Sequence, residues 1–212
     1  MSIVNLESFL IAITILTLTP GLDTALVIRN TSRSGLTGGC MTSLGICLGL
    51  FVHATFSAVG IATILSQSAQ LFQWVKMAGA LYLIYLGISG FRALLSPQTS
   101  LNLKSYGLVS ENRVKSLREG FLSNVLNPKT AVFYLAFLPQ FVDPKGSALL
   151  QSLTMAGIHF LIAMVWQCGL ASVLSKAKSL LSSPVFMRWM EGTTSLVLVV
   201  LGVKLMLEKP QV

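Results

Sequence analysis

The chain has 212 residues, 53% of them hydrophobic and only 10% charged, with a formal net charge of +8. A soluble domain needs roughly a quarter of its residues charged to cover its surface, so a water-exposed globule is excluded. The apolar residues come in long blocks rather than at strand or helix period, and a block of about 20 matches the hydrocarbon core of a bilayer.

Six such blocks follow one another, from Asn5 to Ile28, Gly38 to Leu65, Ala69 to Leu95, Gly120 to Phe141, Leu149 to Leu174 and Phe186 to Leu207. They are too long for barrel strands and lack their alternation, so each is predicted to be a spanning helix. The reading is an all-α membrane protein with one membrane domain over 1–212. The amino end MSIVNLES has no basic residue and no cleavage pattern, so the first block is expected to remain as a spanning helix.

The first block contains LTLTPGLDTALVI, residues 16–28, in which Pro20 and Gly21 interrupt a helix and Asp23 adds a charge. Proline removes a backbone donor, which frees the carbonyl of Leu16. The second block carries His53 and a GxxxG pair, Gly45 and Gly49, suited to close helix packing. The third carries Lys76 beside Trp74, where the bland reading is an ammonium that snorkels to the interface.

A polar stretch, approximately 96–117, then divides three blocks from three. The fourth block holds Asn124, Asn127, Pro128 and Lys129, and Pro128 cannot donate to the carbonyl of Asn124. Asn127 is placed to cap the helix resumed after it. The fifth block holds His159, and the sixth opens with Arg188 and Glu191, which read as an ordinary surface pair.

Ten basic residues fall in the connections after blocks one, three and five, against three on the opposite side. This bias places the central linker in the cytosol and both termini outside. It also accounts for the positive charge without a nucleic-acid partner. Cys40, Cys47 and Cys168 form no metal-ligand or CxxC spacing and read as packing residues, and no cofactor or metal is expected.

Three spans per half put the halves in opposite orientation. The pairs Pro20 and Pro128, His53 and His159, and Gly87 and Gly202 recur in the same order, at offsets of 108, 106 and 115. The expectation is two inverted three-helix repeats, approximately 1–95 and 118–212, with helices one and four broken at Pro20 and Pro128. Broken helices at corresponding places point to a transporter's central site.

Asp23 and Lys129 are then either an opposite-charge pair that receives a zwitterion or a structural ion pair, with helix capping a further role for Asp23. His53 and His159 either carry protons or hydrogen-bond between helices. Two other classes stay open: a thiol-disulfide electron carrier, and an oligomeric channel or structural membrane component.

Four strings resemble the LysE/RhtB family of bacterial amino-acid exporters: TPGLDTALVIRNTSRSG (19–35), GICLGLFVH (45–53), KMAGALYLIYLG (76–87) and GFLSNVLNPKTAVFYLAFLPQFV (120–142). The resemblance covers nearly the whole chain, and the last string is its most specific part. It implies a multi-pass protein of the bacterial inner membrane, no enzyme, that exports amino acids or close derivatives by antiport with protons. Lys76 fits the family pattern, which argues against a simple snorkel. The family commonly reads Pro-Gly-Pro-Asn where this chain has Pro20-Gly21-Leu22-Asp23, so a softer break and an added titratable group are expected. Which amino acid is moved and the oligomeric state stay open.

Overall fold

A computed structural model describes residues 3–19, 21–67, 69–95, 112–176 and 184–207. The described chain is helical from end to end. Its elements are α1 (Leu6–Leu18), α2 (Leu22–Gln67), α3 (Ala69–Leu95), α4 (Arg113–Val125), α5 (Pro128–Val132), α6 (Ala148–Lys176) and α7 (Pro184–Leu207). Two described stretches are long and apolar enough to cross a membrane, Leu22–Gly60 and Ala148–Lys176. The linker expected at 96–117 lies outside the described residues as far as 111, and from Arg113 the chain is already helical, capped by the side chain of Asn112 on Lys115 N.

α1 buries Phe9, Ala12, Ile13, Leu16 and Thr17, one helical face. Thr17 and Thr19 return their hydroxyls to the carbonyls of Ile13 and Ile15, both at 2.7 Å, a local bonding that competes with helix continuation. Thr19 then takes an extended conformation (ψ 112°), as the residue before a proline must, and the helix resumes at Leu22. Pro20 itself lies outside the described residues.

The sequence suggests a loop between the first two blocks, but the chain turns without one. α2 is two helical arms that meet at Ser34 and Gly35, and Gly35 has φ 68°, a conformation that only glycine adopts freely. Past the corner the arms stay close: a Cβ on Gly38 would sit 3.0 Å from the carbonyl oxygen of Asn30.

The fourth block also differs in detail from one broken helix. α4 ends at Val125 with Leu126 as its cap, Asn127 is extended, and α5 starts at Pro128. A wide π-turn over Phe133–Phe137 and a tight 3-10 turn over Leu138–Phe141 follow. The π-turn leaves the Tyr134 carbonyl to a side chain, and Ser57 Oγ donates to it at 2.7 Å.

α2 packs mainly on α4 and α6, while α3 packs mainly on α7. Glycines set these approaches within the chain. A Cβ on Gly45 would strike the backbone of Leu117, and one on Gly120 the backbone of Thr42. A Cβ on Gly87 would lie 2.6 Å from the Ser195 carbonyl oxygen. Arg188 donates to the Leu94 carbonyl at 3.3 Å and ties α7 to the end of α3, while the side chain of Glu191, its expected surface partner, lies outside the described residues.

Along one stretch of α6 the polarity runs opposite to that of a helix in a water-soluble bundle. On α6, Leu161 and Val165 are 65% and 77% exposed, whereas His159 and Gln167 on the other face are 5% and 6% exposed. Apolar side chains turned outward and polar ones inward fit a lipid surround.

Candidate functional site

The two helix breaks meet, and each supplies groups to the other. Asp23 lies in the first turn of the resumed arm of α2, where the helix dipole favours an acid. Its Oδ2 accepts from Asn124 Nδ2 at 2.9 Å and Asn127 Nδ2 at 3.1 Å, and its Oδ1 accepts from Ser123 Oγ at 3.1 Å. All three donors come from the end of α4 or the break after it. In return, Lys129 Nζ donates to the Thr19 carbonyl at 3.2 Å, at the end of α1.

Asn127 works in both directions. Its Oδ1 accepts from the backbone N–H of Lys129 at 3.0 Å, which caps α5, while its Nδ2 holds Asp23. That pair of bonds fixes the amide's orientation, because reversing it would set oxygen against carboxylate and nitrogen against N–H.

The Asn124 carbonyl, freed because Pro128 has no N–H, is not left bare. The backbone N–H of Asn127 reaches it at 2.9 Å, and His53 Nε2 lies 2.9 Å from it. A carbonyl can only accept, so Nε2 of His53 carries the hydrogen. His159 Nδ1 is hydrogen-bonded with the Tyr134 hydroxyl at 3.0 Å. The Tyr134 ring lies 5.8 Å from His53 and is stacked at 5.9 Å on His159, so it stands between the two imidazoles.

These groups border one cavity. Asp23, Asn124, Asn127, Lys129, His159 and Gln167 line it, and Leu16, Ile46 and Leu50 supply apolar wall. Its space for the centres of water molecules is about 40 Å³, room for a few waters.

Of the residues singled out from sequence, Gly21, Asp23, Asn124, Asn127, Lys129 and His159 line the cavity. Pro128 begins α5 directly below them, and His53 reaches the break through the Asn124 carbonyl without lining the space. The side chain of Lys76 and the whole of Pro20 lie outside the described residues. Asp23 and Lys129 share the cavity but form no direct ion pair. On the same arm of α2, Arg29 forms an ion pair with Glu119, whose Oε2 also accepts from Asn30 Nδ2 at 3.0 Å.

Sequence reasoning missed Ser123, Thr130, Tyr134 and Gln167. Ser123 stands four residues before Asn127, and Gln167 eight after His159, so helical spacing carried a signal for both. No such signal existed for Tyr134, whose direction depends on the π-turn.

No described group of three or more His, Cys, Asp or Glu side chains could hold a metal ion.

An all-helical chain with outward apolar faces and a polar, charged cavity at two broken helices is a membrane transport protein by design. Residues 14–209 match the family model described as LysE type translocator, and the chain belongs to that family of transporters, not enzymes. It is 32% identical over 193 residues to an uncharacterized membrane protein, YrhP, of Bacillus subtilis, covering 87% of this chain and 90% of the relative. It is 29% identical over 177 residues to the homoserine/homoserine lactone efflux protein of Salmonella typhimurium, covering 84% of each. An uncharacterized membrane protein of Vibrio cholerae is 30% identical over 184 residues, again with 84% of each covered. No solved structure matches the chain.

Proposed function

We propose that this chain exports small amino acids or close derivatives, of the homoserine type, from the cytosol across the bacterial inner membrane. The observation that carries this reading is the reciprocal engagement of the two breaks around one cavity. It offers a cation, Lys129, for a carboxylate, and an anion, Asp23, for an ammonium. Those two charges are the features common to every zwitterionic amino acid. The printed names of the Salmonella relatives support the substrate class.

The halves, approximately 1–95 and 118–212, act as inverted repeats that rock about this centre, with both termini outside and the 96–117 linker in the cytosol. The pairing of elements supports the repeat: α2 with α6 and α4 with α2 are matching contacts under an exchange of halves, and α3 with α7 exchanges with itself. A proton taken up on Asp23 or His159 serves as the coupling ion, and Lys76 belongs with the permeation path. The small volume of the cavity fits an occluded state that must open to admit a substrate.

Counterflow of labelled homoserine in vesicles containing the purified chain tests the reading. Saturable counterflow, lost in Lys129→Met with insertion unchanged, is the expected result. Wild-type vesicles that exchange no amino acid would end it.

A further inference from the structure

Two residues that line the cavity, Asn124 and Gln167, 1% and 6% exposed, each carry a buried oxygen with no hydrogen-bond partner, Oδ1 and Oε1. An unpaired buried acceptor costs about 1–3 kcal/mol. Ser152 Oγ and Trp166 Nε1 are also unpaired, but they lie away from the cavity lining.

The two oxygens belong to different ends of the problem. Asn124 is held by its own Nδ2, which donates to Asp23 at 2.9 Å, so its free oxygen sits with the carboxylate that receives an ammonium. Gln167 comes from α6, on the stripe His159, Ala163 and Gln167, which spans about 12 Å of helix at 1.5 Å per residue. It is tied to neither Asp23 nor Lys129. The ammonium and carboxylate, matched by Asp23 with Asn124 and by Lys129, do not distinguish one amino acid from another. Discrimination must come from a group that meets the side chain. Thr17, Thr19 and His159 also line the cavity, but the two hydroxyls donate within their own helix and His159 Nδ1 is bonded to Tyr134; beside Leu16, Leu50 and Ala163, Gln167 brings an acceptor that is still unpaired.

We propose that Gln167 is the specificity-determining residue, and that its side-chain amide reads a hydroxyl on a small neutral amino acid. The proposal rests on the exporter reading above and goes beyond it by naming the feature of the substrate that is read. A substrate hydroxyl donates to Gln167 Oε1 and relieves the unpaired acceptor. A purely aliphatic side chain of the same size buries that oxygen with no donor. The acceptor left without a donor then counts against the aliphatic analogue.

The test is counterflow in vesicles of the purified full chain, with labelled homoserine competed by unlabelled homoserine or 2-aminobutyrate, and by threonine or valine. The first pair differs by a hydroxyl in place of a hydrogen, the second by a hydroxyl in place of a methyl. The wild type is expected to favour the hydroxylated member by about tenfold, the order of one well-made hydrogen bond. Gln167→Leu brings the ratio near unity by weakening the hydroxylated member, while counterflow of 2-aminobutyrate persists. Gln167→Met, of equal length, repeats the measurement independently of packing.

Equal competition in the wild type overturns the assignment, as does a wild-type ratio in both variants. If neither variant inserts, Gln167 is an element of the fold and the assignment also falls. A wild type that moves no amino acid at all removes the exporter reading itself, and that result differs from an exporter blind to hydroxyls.

Discussion

The ammonium of Lys129 donates to the carbonyl oxygen of Thr19 at 3.2 Å, a bond between residues 110 apart that joins the two helix breaks. Asp23 answers from the other side through Asn127. Each charge therefore contacts the residue that precedes the opposite proline. Neither charge needs the other as a direct partner, and both can exchange a protein contact for a substrate contact without leaving an ion bare. Lys129→Met removes the cation from the cavity and should reduce homoserine counterflow at least about tenfold, the scale of a charged hydrogen bond. Lys129→Arg keeps the charge, but its planar fork does not fit a single carbonyl, so only partial flux should return. Counterflow in Lys129→Met equal to wild type would take this residue out of the site.

Asp23→Asn and Asp23→Ala should separate charge from bonding. In Asp23→Asn the Asn127 amide cannot turn, because its oxygen caps Lys129 N. Asn124 can turn, and its unpaired Oδ1 then accepts from the new amide. The variant should fold with nearly wild-type thermal stability, while its half-saturation concentration for homoserine rises because the substrate ammonium has lost its anion. Asp23→Ala strands three donors and should lose roughly 1–3 kcal/mol of stability. Equal melting temperatures for the two variants would contradict this bonding scheme.

Gly49 tests the site from behind. A Cβ there would lie 2.7 Å from Asn124 Oδ1 and 3.0 Å from Asn124 Cβ, so Gly49→Ala must push Asn124 off Asp23. Gly60, in the same helix, has nothing within 4 Å and makes Gly60→Ala a neutral control. Vesicle assays should show a loss of several-fold in Gly49→Ala, read as a higher half-saturation concentration, with no change in Gly60→Ala. Identical kinetics in both would mean that the placement of Asn124 is irrelevant.

These results mark where the sequence was informative. Pro128 announced that the Asn124 carbonyl would lose its helical donor, because that follows from one residue's covalent structure. That His53 would supply the replacement did not follow, since the two are 71 residues apart and meet only when α2 packs on α4. The capping role of Asn127 was legible for the same local reason as the break. Its grip on Asp23 was not. Tyr134 escaped because a π-turn rotates side chains away from the 3.6-residue spacing by which helical faces are read. The corner at Ser34 and Gly35 escaped because a lone glycine in SRSGLTGG looks like loop, and only the packed arms show that no loop is needed.

His53 itself is predicted to position the break rather than to carry protons. Its Nε2 hydrogen is committed to the Asn124 carbonyl at 2.9 Å. Gln at this position can offer an N–H to the same oxygen, so His53→Gln should retain most of the flux and its dependence on a pH gradient. His53→Leu should lower the melting temperature and the flux together. Loss of gradient dependence in His53→Gln, with the fold intact, would instead make His53 a proton carrier.

The last prediction concerns Arg29 and Glu119, whose contact links the first arm of α2 to α4. Arg29 is six residues beyond Asp23, about 9 Å along the helix, on the side that the charge bias assigns to the cytosol. Asn30 extends the link, donating to Glu119 Oε2 at 3.0 Å and Thr42 Oγ1 at 2.9 Å. The two charged side chains are 41% and 29% exposed, so water screens the pair and its worth to stability is about 0–1 kcal/mol. A contact this weak can be broken at little cost, and the reading proposed above makes it a gate between the cavity and the cytosol. Glu119→Gln should therefore leave the melting temperature within a few degrees of wild type and alter transport rates. A cysteine placed at Thr24, which is buried at the cavity, should become more reactive to a thiol reagent added from the cytosolic side. The exchanged pair Arg29→Glu with Glu119→Arg should restore protection. Unchanged reactivity in Glu119→Gln would show that the path is closed by packing alone.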